Sequence, residues 1–440
     1  MDQHSNEKCS TSVEALQALH NNSNTTSDDD DDKLMRRDVE QALDSPGATM
    51  ERVPTYLQPR MPFRERLHHF TFAWYTVSMS TSGIALVLAL TPHRFRGLDV
   101  IGLVIFLLDL VFFLFITVAI TLRFILHRRT FRKALTHPME ALFIPTFFLS
   151  IAAILSSIET YGDIFLLGKP LAGLHRFSGG AFWVYLAVTF LVSVFQYHLL
   201  ATVKEERRLT VNSITPTWIL PIFPVMLAGT LAALVSKTQP ADEAIAILAA
   251  GLAAQGLGIL VSIFMYSTYL SRLMTFGLPF QRPGMFIAVG PPSFTGAALV
   301  TMAADVPRIF EEASASKLFP FVSLGDRATL AAGTQLLALN AAIFLWGLSF
   351  WFFASAVAAT LSGMPDRKFH LSWFSFVFPN VGFAILSFRM GAALNSNGVL
   401  WMGTITTILL VAMWVFVCFR SIRAVYRREI VWPGHDEDSL

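Results

Sequence analysis

Prolines in this chain fall inside some of its hydrophobic spans and are absent from the spans between them, and the two kinds alternate. Five short spans run Phe70 to Leu90, Glu140 to Glu159, Pro216 to Val235, Gly284 to Ala304 and Leu371 to Met390. Five long ones run Val100 to Leu126, Phe177 to Val203, Ala244 to Ser271, Gly333 to Leu361 and Gly398 to Arg423. Every proline within a span lies in a short one: Pro145, Pro216, Pro221, Pro224, Pro291, Pro292 and Pro379. The first short span has no proline but carries Gly83 beside the small polar run Ser78 to Ser82. Hydrocarbon cannot satisfy a freed backbone group, so an interrupted helix must bury its defect in protein or turn it toward water. The long Leu-, Ile-, Val- and Phe-rich spans can face lipid at no such cost, and about 20 apolar residues already cross a bilayer. The pattern predicts an all-α polytopic membrane protein of ten transmembrane helices, in which one broken and one intact helix form a hairpin repeated five times. The broken helices line a pore and the intact ones wall it off.

An even number of crossings puts both termini on one side. Lys and Arg near the spans number eighteen on the terminal side against eight on the other, so the positive-inside rule makes both termini cytoplasmic. A composition that is 54% hydrophobic and 15% charged excludes an ordinary soluble domain. The domain reading is a polar cytoplasmic tail over residues 1–60, with the acidic run Asp28 to Asp32, then a ten-helix domain over 61–424 and a short cytoplasmic tail over 425–440. Cys9 and Cys418 form no disulfide framework.

Enzymatic signatures are missing: there is no HExxH, P-loop or GxSxG motif and no Cys/His cluster that would hold a metal. No enzyme, cofactor, metal or nucleic-acid partner is expected. Charged residues inside the spans are few, and Asp109 in the second, Glu159 closing the third and Arg389 near the end of the ninth stand out. Asp109 and His198 are the proton-coupling candidates, each weighed against a hydrogen-bonded structural role. A pathway built from the short spans is therefore nearly uncharged, lined by Ser, Thr, Gly and aromatic rings. Where proline or glycine interrupts a helix, the next segment presents free N–H groups and a positive dipole end, which suits an anion held by weak, multiple contacts.

Four segments concentrate these features: Phe72 to Leu86 (FAWYTVSMSTSGIAL), Thr215 to Leu231 (TPTWILPIFPVMLAGTL), Gln281 to Gly296 (QRPGMFIAVGPPSFTG) and Trp373 to Phe383 (WFSFVFPNVGF). In this order and spacing they resemble the tellurite-resistance and dicarboxylate transporter family, which includes plant slow anion channels, and within it the fungal malic acid transport proteins. The resemblance runs from about Arg60 to the WPGHDED stretch near the C-terminus. It implies five helical hairpins around a quasi-fivefold axis, odd helices lining the pore, and a homotrimer with one pore per subunit. It also implies a phenylalanine gate on the ninth helix, for which Phe378, directly before Pro379, is the best match, with Phe374 and Phe376 as rivals. Thr81, Ser82, Gly83, Pro291, Pro292, Ser293 and Asn380 are the candidate pore-lining and substrate-binding residues. Arg282 is a candidate anion collector at the pore mouth, with membrane anchoring the equal alternative. The expected activity is transport of C4-dicarboxylates, malate first and succinate and related acids with it, across the plasma membrane; the resemblance to malate carriers implies protons as a coupling partner, which the residues themselves leave open. Sulfite efflux and a voltage-driven anion channel of the same fold are the alternatives.

Overall fold

The computed structural model describes residues 62–166, 172–205, 208–314, 326–365 and 368–432. The expected N-terminal tail, with its acidic run and Cys9, and the last eight residues lie outside them. The described residues are helical, without strands. We number the membrane-crossing α-helices in chain order: α1 Tyr75–Leu90, α2 Leu98–Leu126, α3 Pro145–Phe165, α4 Ala172–Thr202, α5 Phe223–Val235, α6 Ala241–Phe276, α7 Gly290–Glu312, α8 Arg327–Leu361, α9 Phe378–Ala393 and α10 Asn397–Tyr426. Nine of these crossings, counted with the turns that lead into them, are long and apolar enough to span a bilayer by themselves. The fifth is shorter, Phe223–Thr238, and is preceded by the 3₁₀ turn Pro216–Ile219.

Every odd helix begins twice. A short entry segment leads in, and the α-helix proper starts after it: Phe72–Trp74 before α1, Pro138–Phe143 before α3, Pro216–Ile219 before α5, Arg282–Val289 before α7 and Leu371–Phe376 before α9. Proline stands in the first turn of α3, α5, α7 and α9, where its missing N–H costs nothing and its fixed φ suits a helix start. The first crossing has the same break between Trp74 and Tyr75 without any proline. One further proline, Pro307, stands inside α7 beyond the expected end of that span.

Carbonyls around these breaks accept hydrogen bonds from hydroxyls of the surrounding helices, which suits an apolar medium. The Tyr185 hydroxyl of α4 donates to Pro224 O (3.1 Å), Tyr197 to Trp218 O (3.1 Å) and Tyr266 of α6 to Ala288 O (2.8 Å). Within the inner layer, Ser80 of α1 donates to Phe374 O (3.3 Å) and Ser150 of α3 to Tyr75 O (3.1 Å).

The inner helices touch in the cyclic order α1, α3, α5, α7, α9 and back to α1, which closes a five-membered ring. Each even helix packs on its own hairpin partner and on the next inner helix. In the apolar stretches of the first, third, seventh and ninth crossings 67 to 94% of residues are buried, against 17 to 33% in the even ones. The outward faces of α2, α4, α6, α8 and α10 carry exposed Leu114, Phe190, Phe264, Phe344 and Leu409, a belt suited to lipid tails. The inner-and-outer arrangement expected from the prolines is thus the one observed.

Small residues set the closest helix contacts. A Cβ at Gly251 of α6 would stand 2.3 Å from the Ala232 Cβ of α5, and one at Gly258 would stand 2.4 Å from the Met226 Cβ, so backbones meet where lipid would otherwise intrude. Where the first hairpin ends and the second begins, Arg123 of α2 and Glu140 of the segment before α3 form a fully buried ion pair, Nη1 to Oε1 and Nη2 to Oε2.

Candidate functional site

The axis of the ring is filled by phenylalanine at the level where the broken helices restart. Phe223 opens α5, Phe294 lies in the second turn of α7, and Phe378 opens α9. All three are buried. The Phe378 ring stacks on Phe294 at 5.4 Å between centroids and meets Phe223 edge-on at 6.2 Å, while Phe223 and Phe294 are 5.9 Å apart. Helices α5 and α9 are not neighbours in the ring order, so the contact between Phe223 and Phe378 crosses its interior. On the opposite side Phe378 faces α1: a Cβ at Gly83 would lie 3.3 Å from the Phe378 ring and 3.3 Å from Val381. Gly290 makes the corresponding room for Phe223, since a Cβ there would stand 2.6 Å from the ring. Two glycines therefore let rings occupy the axis that larger side chains would displace.

Of the rival rings, Phe374 is buried in the entry segment before α9. Phe376 is half-buried and packs on Phe286 at 5.1 Å and Trp373 at 6.2 Å, on the entry side of the break. Neither contacts the three-ring cluster through a ring pair.

The hydroxyl candidates divide. Ser82 of α1 hydrogen-bonds Ser157 of α3 (3.3 Å), joining two inner helices. Thr81 donates to Val77 O (2.8 Å) and accepts from Trp414 Nε1 of α10 (3.1 Å), so it faces the outer layer rather than the axis. Ser293 donates back to Val289 O (2.7 Å), a common use of a helical hydroxyl, and its oxygen packs 2.8 Å from the place a Cβ would take at Gly382 of α9. Pro291 and Pro292 are buried in the first turn of α7. Asn380 donates to Phe376 O (2.9 Å), and its own Oδ1 is buried without a partner two residues beyond Phe378.

The charged candidates separate further. Asp109 of α2 is fully buried and turned toward the Ser78 and Ser82 hydroxyls of α1. Neither of its oxygens closes a hydrogen bond. No cation pairs with it among the described residues. His198 is exposed near the end of α4, on the outer layer and away from the axis. Arg282 is committed elsewhere: its Nη1 donates to Ala359 O (2.6 Å), Ser362 Oγ (2.9 Å) and Gly363 O, capping the free carbonyls at the end of α8. Its guanidinium thereby ties the segment before α7 to the end of α8, a role that neither the pore-mouth nor the membrane-anchoring reading anticipates. Among the described residues no group of three or more metal-ligating side chains is found.

Sequence reasoning passed over Phe223 and Phe294. Each lies within a quoted segment beside a proline-broken start, but among 39 phenylalanines nothing local marks the ones that meet across a ring.

The profile of the voltage-dependent anion channel family, SLAC1, matches residues 69–422, which covers all ten crossings. A malic acid transport protein of Schizosaccharomyces pombe is 33% identical over 392 residues, covering 87% of this chain and 84% of the relative. A putative malic acid transport protein of the same yeast is 35% identical, covering 86% and 85%. The sulfite efflux pump SSU1 of Trichophyton rubrum is 26% identical, covering 80% and 89%. With a family profile spanning the whole ring of hairpins and relatives aligned over most of their length, this chain belongs to the SLAC1 voltage-dependent anion channel family, whose members are channels and transporters rather than enzymes.

Proposed function

We propose that the protein transports C4-dicarboxylate anions, malate first, through the ring interior of each subunit. The observation that carries this reading is the meeting of Phe223 and Phe378 across the ring at the level where five helices restart. Helix starts around an aromatic plug offer N–H dipoles to an anion without a fixed charge that would hold it. The two malic acid transport relatives, at 33% and 35% identity, favour a dicarboxylate over the sulfite of the more distant relative. In this reading the protein is a plasma-membrane homotrimer with cytoplasmic termini, and Phe378 is the gate. The entry segments then face the cytoplasm, and the opposite mouth opens outside. We assign the Ser82 hydroxyl and the second N–H of the Asn380 amide as donors to a carboxylate, and Asp109 as the site for proton coupling.

Labelled malate flux into proteoliposomes, with sulfite as competitor and with pH and voltage gradients imposed separately, tests the proposal. The expected result is saturable malate uptake driven by the pH gradient, with sulfite a weak competitor. Sulfite displacing malate at lower concentration would assign the sulfite activity instead. Flux that follows voltage and ignores the pH gradient would make the protein a channel. Asp109→Asn keeps the shape of the side chain and removes its proton; it is expected to reduce uptake to the level driven by voltage alone, with the malate KM unchanged. Gradient-driven uptake intact in Asp109→Asn would remove Asp109 from coupling.

A further inference from the structure

Outer helices α2 and α10 both pack on α1 and leave a groove of about 810 Å³ between them. Its walls are exposed apolar side chains, Phe115, Val118 and Leu122 of α2 and Ile422 and Tyr426 of α10. At 1.5 Å per residue the α2 wall runs about 10 Å, from near the C-terminal end of that helix toward its middle.

The two ends of the membrane domain close the groove at the membrane boundary. Before the first crossing, the short helix Phe63–His68 brings Arg66 and Leu67 against it, and Phe70 stacks on Trp74 at 4.8 Å. After α10 the chain reverses through Arg428, whose φ of 59° is left-handed. There Arg428 N donates to Val425 O (3.3 Å) and Glu429 N to Ala424 O (2.8 Å), which caps free carbonyls of the helix. The reversal packs Val431 on the cluster of Leu67, Phe70 and Ile116 and puts the Arg428 guanidinium 5.2 Å from the Trp432 ring.

Arg66 and Arg428 both line the groove. Among the described residues no carboxylate lines it, although Glu65 and Glu429 are the chain neighbours of these arginines, so its charge is wholly positive. Arg66 Nε is buried without a hydrogen-bond partner. The groove thus has cations at the membrane boundary and apolar walls running from them into the hydrocarbon. A phospholipid divides in the same way, and cationic pockets between crossing helices suit anionic headgroups. A second copy of this chain would cover the apolar walls equally well, but it would have to bring a carboxylate to the boundary to offset the arginines. An anionic leaflet supplies that charge at every headgroup.

We propose that the groove between α2 and α10 binds one anionic phospholipid per subunit, with an acyl chain against the two helices and the headgroup held by Arg66 and Arg428. The lipid ties the helix before the first crossing to the turn after the last, a role separate from the anion path in the ring interior.

Delipidated full-length protein titrated with phosphatidylserine or phosphatidylcholine, with bound lipid counted by native mass spectrometry, tests it. Wild-type protein is expected to hold one phosphatidylserine per subunit more tightly than phosphatidylcholine. Arg66→Gln and Arg428→Gln are each expected to weaken phosphatidylserine about fivefold, and the pair about 25-fold, with phosphatidylcholine changed far less. Arg66→Lys with Arg428→Lys keeps both charges and is expected to keep most of the affinity, which separates charge from folding. Arg129→Gln removes an exposed cation beyond the end of α2, outside the groove, and is expected to change nothing. Val118→Trp fills the groove from an exposed position and is expected to weaken both lipids. Equal wild-type affinity for the two lipids overturns the headgroup assignment, and unchanged phosphatidylserine affinity in the double Gln variant or in Val118→Trp overturns the site. Wild-type subunits that bind no lipid but separate from one another when Val118→Trp is introduced would assign the groove to a second copy and overturn the proposal.

Discussion

Phe378→Ala is expected to raise the basal anion leak of the reconstituted protein by roughly 5- to 150-fold. The estimate follows from the two ring contacts that the substitution deletes, with Phe294 and with Phe223. Each aromatic pair is worth about 0.5–1.5 kcal/mol beyond simple burial, so the occluded arrangement loses about 1–3 kcal/mol, which corresponds to that range. Phe378→Leu, which retains much of the volume, is expected to give an intermediate leak. Gly83→Ala should act in the opposite direction: its new methyl would stand 3.3 Å from the Phe378 ring and restrict the movement that opens the path. Flux under a fixed anion gradient, normalised to folded protein, reads all three. Because truncating a buried phenylalanine costs about 3–5 kcal/mol of stability, thermal unfolding must accompany the flux. Wild-type leak from folded Phe378→Ala protein would show that the ring does not gate.

Glu140→Ala is expected to destabilise the folded protein by about 3–5 kcal/mol, because it strands a buried guanidinium. Arg123 is 1% exposed and Glu140 1%, and their two hydrogen bonds fasten the end of the first hairpin to the start of the second. The Arg123 guanidinium also lies 5.7 Å from the Phe124 ring, a contact too weak to compensate for the lost anion. A double replacement, Arg123→Met with Glu140→Leu, should recover most of the loss, since removing both charges also removes the cost of burying them. Thermal unfolding in detergent across the four proteins of the cycle measures the coupling. A Glu140→Ala protein that unfolds at the wild-type temperature would show that the pair is dispensable.

The two predictions differ in how far the sequence anticipates them. Phe378 was reached from its place before Pro379 in a segment resembling a known family, and its ring contacts could not be read from that segment. Arg123 and Glu140 stand 17 positions apart across a basic connection, and nothing local pairs them. The same limit applies to hydroxyls: Thr81 and Ser82 are consecutive, yet one turns to Trp414 in the outer layer and the other to Ser157 in the inner one. Arg282 and Arg389 looked alike as cations near a boundary. The first caps α8, and the second stands on α9 eleven positions beyond Phe378.

By itself the sequence determined the number of hairpins, the alternation of broken and intact crossings, and which of them go inside. The reason is local: a proline's missing N–H and fixed φ act on its own helix, and hydrocarbon penalises the resulting break wherever the fold places it. Even the first crossing, which lacks a proline, was marked by Gly83 and a run of small polar residues. Only the tertiary structure decided which face of each inner helix meets the axis. Those helices are buried nearly all round and carry small hydroxyls on several faces, so their sequence shows little contrast to orient them. Orientation came from closing five hairpins into a ring, which brings Phe223 against Phe378 across the interior.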